Sequence, residues 1–200
     1  PIVLDISDSE LNGELPLPPQ LMVTSLICTR NLLTKLPEVL PASLTELNCG
    51  ENQLTSLPEV LPASLTALNC NQNQLRTLPE LPTSLTVLRC SSNQLTSLPE
   101  VLPASLTSLS CNNNQLTTLP ELPASLTVLW CDNNLLTSLP EVLPASLIWL
   151  RCHKNQLTAL PELPASLTEL WCSGNTDLAN NPAAQAALQA MRDRGAIVLA

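Results

Sequence analysis

The sequence contains no phenylalanine and no tyrosine, and only three tryptophans among 200 residues. A compact core ordinarily uses aromatic side chains to fill irregular space. A core assembled from repeated layers has no such need, because one side-chain type fills the same slot in every layer. Basic residues are also scarce: eight Lys and Arg stand against seventeen Asp and Glu, a net charge of −9. Phosphate binding needs clustered cations, so this balance argues against nucleic acid as a partner. No apolar run is long enough to span a bilayer, and no basic, apolar leader is present, so nothing indicates membrane insertion or export. The chain starts at Pro1 rather than at a methionine, as expected of a piece of something longer.

What is abundant is leucine and proline, and both fall into a repeat. Eight cysteines stand at Cys28, Cys49, Cys70, Cys90, Cys111, Cys131, Cys152 and Cys172, spaced by 20 or 21 residues. The one-residue difference lies in the longer PEVLP copies, as at 58–62, against the shorter PELP copies, as at 79–82. Each copy fits LxxLxCxxNxLxxLPE(V)LPxS. A degenerate copy precedes them, with Leu4, Ile6, Ser9, Leu11 and Leu15 in the corresponding slots, making nine layers.

The segment around the last leucine and the cysteine alternates as a short strand does. Leu47 and Cys49 then point inward, while Glu46, Asn48 and Gly50 point out. An asparagine follows each cysteine by three residues, as Asn134 follows Cys131. Its amide can bond the backbone groups that the bend would otherwise leave unpaired. The return stretch has too many prolines for a helix and is expected to run extended or polyproline-like. One unit cannot bury its leucines alone, whereas stacked parallel copies bury them continuously. Nine strands at about 4.8 Å spacing give a slab roughly 40 Å long.

The pattern LxxLxCxxNxLTxLPELP, running from about Leu4 to Asn175, resembles the bacterial class of leucine-rich repeats found in Yop M and in IpaH-type ubiquitin-ligase effectors. Cysteine stands here where that class usually has Val or Ile. The resemblance implies a curved parallel solenoid whose concave strand face binds proteins, and a protein that bacteria secrete into the host cytoplasm. It also leaves open a role as the substrate-recognition domain of a larger effector such as an IpaH-type ligase. The catalytic Cys-x-Asp motif of those ligases is not matched by any cysteine of this chain, so ligase activity is not carried over.

The repeat domain is expected over residues 1–175 and a C-terminal cap over 176–200. In the cap, NNPAAQAALQAMRDRG predicts a helix over about 182–194, with Ala184, Leu188 and Met191 facing the last layer. A final strand is expected over about 197–199.

The cysteines lack the local CxxC pairing of a metal site and occupy inward slots, so they are expected as buried, reduced thiols without a metal. Free thiols of this number fit a reducing, cytoplasmic compartment. A second ladder, Glu38, Glu59, Glu80, Glu100, Glu121, Glu141 and Glu162, is expected to form a solvated acidic margin that keeps the slab soluble.

The outward strand positions carry the functional information, since the scaffold leaves them free. In early layers they are small or neutral apart from Glu46 and Glu51, with Val87 and Arg89 as interruptions. In the last three full layers the position before cysteine reads Trp130, Arg151, Trp171. Three before it stand Val128, Trp149 and Glu169, and just after it Asp132, His153 and Ser173, with Lys154 beside them. All three tryptophans therefore fall on one face within three neighbouring strands, and Arg151 lies between two indoles at stacking range. Exposed Trp and Arg are the types most enriched at binding hot spots. The candidate partner-binding residues are Trp130, Trp149, Trp171, Arg151, His153, Lys154, Asp132, Glu169 and Val128. The row Asp132, His153, Ser173 places an acid, a base and a hydroxyl in line, but on an open sheet with no nucleophile elbow and no evident oxyanion donors. It is read as a polar fringe in which Asp132 helps hold His153 protonated. The expectation is a non-enzymatic module without cofactor that binds a protein partner, a second copy of itself included. A structural, self-associating repeat without a specific partner is the other reading.

Overall fold

A computed structural model describes residues 2–18 and 20–200; Pro1 and Pro19, which fall in the expected first layer, lie outside the described residues. The repeats form a parallel solenoid. Its main sheet has ten strands: β1 (Val3–Asp5), β3 (Ser25–Ile27), β5 (Glu46–Asn48), β6 (Ala67–Asn69), β7 (Val87–Arg89), β8 (Ser108–Ser110), β9 (Val128–Trp130), β10 (Trp149–Arg151), β11 (Glu169–Trp171) and β12 (Ile197–Leu199). Two further strands, β2 (Asn12–Glu14) and β4 (Leu32–Lys35), pair separately across the first two layers. That small sheet has no counterpart in the sequence reading, because residues 12–14 and 32–35 sit where later layers make only turns.

Each repeat strand is three residues long, too short to stand alone, and its central leucine aligns with the next: Leu26, Leu47, Leu68, Leu88, Leu109, Leu129, Leu150, Leu170. Those leucines and all eight cysteines are buried. Leu4 aligns with Leu26 as the degenerate copy requires. The extra valine of the long copies does not disturb this register. Val60, Val101 and Val142 are 77–80% exposed, so the insertion is absorbed by looping outward.

Hydrogen bonds tie the layers. Asn134 is typical: its Oδ1 accepts from the Leu116 N–H at 2.9 Å, while Nδ2 donates to the carbonyls of Cys111 and Cys131, each at 3.1 Å. One side chain thus bonds the turn of its own layer and the backbone of the layer before. The serine of each PxS corner forms another ladder, as Ser125 Oγ donates to the Leu106 carbonyl at 2.7 Å. Stacking also holds the residue before the asparagine in the left-handed region, at φ 54° for Gln72 and 52° for Asn133. That conformation costs a non-glycine residue roughly 1 kcal/mol, and the interlayer bond from the Asn133 N–H to the His153 carbonyl fixes it.

The end of the solenoid is closed by α1 (Thr176–Ala179), which the sequence reading missed, and α2 (Pro182–Asp193). Asn181 caps α2 by accepting from the Ala184 N–H at 3.1 Å, and Ala184, Leu188 and Met191 are buried. Gly195, at φ +83°, turns the chain into β12, which pairs with β11. No helix among the described residues is long and apolar enough to cross a membrane.

All seven glutamates of the acidic ladder are exposed. Their mutual repulsion is screened by ions. The melting temperature is therefore expected to rise by about 2 °C from low to moderate salt, about 1 kcal/mol for a chain of this size. An unchanged melting temperature in calorimetry would contradict a repulsive ladder.

Candidate functional site

Strand alternation turns the residues on either side of each central leucine to the surface, and register lines them up in rows. One row runs Asn69, Arg89, Ser110, Trp130, Arg151, Trp171 and the other Ala67, Val87, Ser108, Val128, Trp149, Glu169. The tryptophans therefore meet on one face of three adjacent strands.

Arg151 is sandwiched. Its guanidinium carbon lies 4.7 Å from the ring centre of Trp130 and 4.0 Å from that of Trp171. Arg151 Nη2 also approaches Glu169 Oε1 at 3.4 Å. Trp149 stands between Val128 and Glu169 and is the most open of the three indoles, 46% exposed. His153 packs its ring 6.0 Å from that of Trp171, tilted by 46°.

Asp132 is buried rather than part of a solvated fringe. It is 7% exposed, and its Oδ2 accepts from Asn133 Nδ2 at 2.9 Å. His153 Nε2 lies 3.5 Å from that same oxygen, longer than a normal hydrogen bond. Ser173 is exposed and makes no hydrogen bond to His153, so acid, base and hydroxyl are not assembled into a relay. Lys154 is exposed, with no side-chain partner among the described residues.

Among the described residues, the buried side-chain polar atoms without a hydrogen-bond partner are Arg151 Nε, His153 Nδ1 and Trp171 Nε1. All three belong to this one cluster. An unpaired buried polar group costs roughly 1–3 kcal/mol. The unmet bonding capacity of the molecule's buried side chains is thus concentrated at this one place among the described residues.

The cysteines behind the sheet are the opposite case. Burial pushes the thiols of Cys28, Cys70 and Cys111 up to about 12 and Cys172 to about 11, and Cys49, Cys90, Cys131 and Cys152 well above the ordinary value. A thiol so raised is a poor nucleophile and a poor metal ligand. No group of three or more His, Cys, Asp or Glu among the described residues could hold a metal ion.

Arg89 and the serines near it were not singled out from sequence. Together with Trp130 and Arg151 they line a depression of about 550 Å³ on the strand face. The signal was available, since Arg89 is a charged residue two register steps from Trp130 in the same row.

The family described as Leucine Rich repeats (2 copies) matches residues 83–123 and 104–144. Among solved structures, the chain is similar to YopM from Yersinia enterocolitica WA-314, at 38% identity and a TM-score of 0.69, covering 86% of this chain and 42% of that one. YopM of Yersinia pestis, a leucine-rich effector protein, is 36% identical with a TM-score of 0.61, over 86% of this chain and 60% of that one. A Shigella effector LRR domain is 30% identical with a TM-score of 0.69, over 88% of this chain and 81% of that one. The chain thus spans 42% and 60% of the two YopM chains. No curated protein sequence matches it.

Proposed function

The chain belongs to the leucine-rich-repeat family, and from that premise we propose that it is a non-enzymatic module that binds a protein partner on the concave strand face of its C-terminal repeats. The observation that carries this reading is the Trp130–Arg151–Trp171 stack with His153 beside it, which together hold three unpaired buried polar atoms. Beside it Trp149, half open to solvent, supplies a large apolar anchor at low entropic cost. Val128 and Glu169 flank that anchor, His153 and Lys154 provide the polar rim, and Asp132 lies buried beside His153. A second copy of the chain is one form the partner can take.

The fraction of the YopM chains that this one spans favours a second reading, in which it is the recognition part of a larger effector that bacteria deliver into a host cell. The eight free thiols fit a reducing destination.

Affinity capture tests the reading. Native protein is compared with the triple variant Trp130→Ala, Trp149→Ala, Trp171→Ala, with retained folding checked by circular dichroism. The expected result is loss of the captured partner, with affinity at least about 30-fold weaker, as for a hot spot worth about 2 kcal/mol. Equal capture by the folded variant would overturn the assignment. Light scattering of the same pair reports whether the partner is a second copy.

A further inference from the structure

The strand face carries a slot between Arg89 and Trp130. Arg89, Ser110 and Trp130 are register partners on β7, β8 and β9, so guanidinium and indole stand two strand spacings apart, about 10 Å. The serine between them is too small to fill that width. Ser108 and Ser91 keep the floor low, which produces the depression of about 550 Å³.

Three features define the slot. Arg89 is exposed and makes no ion pair or side-chain hydrogen bond among the described residues. Ser110 is 95% buried (5% exposed), lines the depression, and its hydroxyl has no hydrogen-bond partner among the described residues. Trp130 stacks on Arg151 and also lines the depression. A fixed cation, a hydroxyl donor and an aromatic face converge on one space.

We propose, building on the partner-binding reading above, that this slot takes the carboxylate side chain of an acidic peptide segment of the partner. Arg89 pairs with the carboxylate through two parallel N–H donors, and the Ser110 hydroxyl donates to the same group. The Trp130 ring at the wall of the slot covers the methylenes of the incoming side chain. Asp132 lines the same depression and is buried, so a dianionic phosphate meets a negative charge that a single carboxylate tolerates better. The chain as a whole carries −9 and repels acidic peptides, so a preference for acid arises only from this local arrangement.

The test is selection of phage-displayed random decapeptides on the full chain. Selected peptides are expected to be enriched in Glu or Asp. Replacing the enriched acid by its amide should weaken binding about ten-fold or more in fluorescence polarisation. Arg89→Ala should cause a similar loss, whereas Arg76→Ala, exposed on the return side, should not. Ser110→Ala, a small change at the floor, should reduce affinity without altering the melting temperature. Selected peptides lacking acids that still depend on Trp149 would overturn the carboxylate slot while leaving the binding face intact. Tighter binding of a phosphoserine counterpart, unchanged binding to Arg89→Ala, or failure to select any peptide would each overturn the proposal.

Discussion

Raising the pH from 8 to 10 is expected to unfold this chain. Every one of the eight thiols is buried in the native state, and burial raises each above its ordinary 9.0, to about 12 for Cys28, Cys70 and Cys111 and about 11 for Cys172. A raised native value means that the neutral thiol is favoured in the fold. The stabilisation is fully present below pH 9 and is lost as the pH climbs from there through the native value, because the unfolded chain releases protons that the native chain holds. At pH 10 each of Cys28, Cys70, Cys111 and Cys172 has given up about 1.4 kcal/mol of that preference. Those four sum to roughly 5 kcal/mol, and the other four add to the loss in the same direction, so the total is a large share of the stability of a typical domain. The absence of tyrosine makes the test clean, since thiolate absorbance near 240 nm then rises without phenolate interference. Circular dichroism and that absorbance should change together between about pH 9 and 11. A variant with several of the cysteines replaced by valine should move the transition to higher pH. Equal melting temperatures at pH 8 and pH 10 would show that thiol burial does not govern alkaline stability.

Replacing Asn134 by alanine should lower the unfolding free energy by about 3 kcal/mol. Asn134 is buried in the middle of the stack and serves the Leu116 N–H and the carbonyls of Cys111, Cys131 and Asp132. Alanine leaves those groups of two layers unpaired in the interior, where water does not reach them. Because each layer contacts only its neighbours, the loss also weakens coupling between the halves of the solenoid. The urea unfolding curve should then broaden or split as well as shift. A change below about 0.5 kcal/mol, the level of an ordinary surface substitution, would mean that the asparagine ladder is not what joins the layers.

The scaffold was readable because it repeats. Leu129, Cys131 and Asn134 recur at the same offsets in nearly every copy, and eight copies turn a weak local pattern into a determined register. The cap helix was equally legible, since Asn181, Pro182 and Gly195 mark its ends by ordinary capping chemistry. What escaped were several features that arise only between layers. The serine ladder, the left-handed φ at Gln72 and Asn133, and the small sheet of residues 12–14 and 32–35 all depend on a neighbouring turn that one copy does not contain. The same limit applies to the site. That the tryptophans share a face followed from alternation, but the burial of Asp132 did not, because it depends on how the side chains of adjacent layers pack around it. Arg89 read as an interruption until register placed it across Ser110 from Trp130.

The central claim is that the partner sits on the strand face over the last three repeats. Site-specific photo-crosslinking tests it most directly, with a benzophenone side chain at position 149 on β10 and, as control, at position 142 on the exposed return segment. The account predicts a crosslink to the captured partner from position 149 and none from position 142. Crosslinking from position 142 with none from 149 would contradict it and move the interface to the other side of the solenoid.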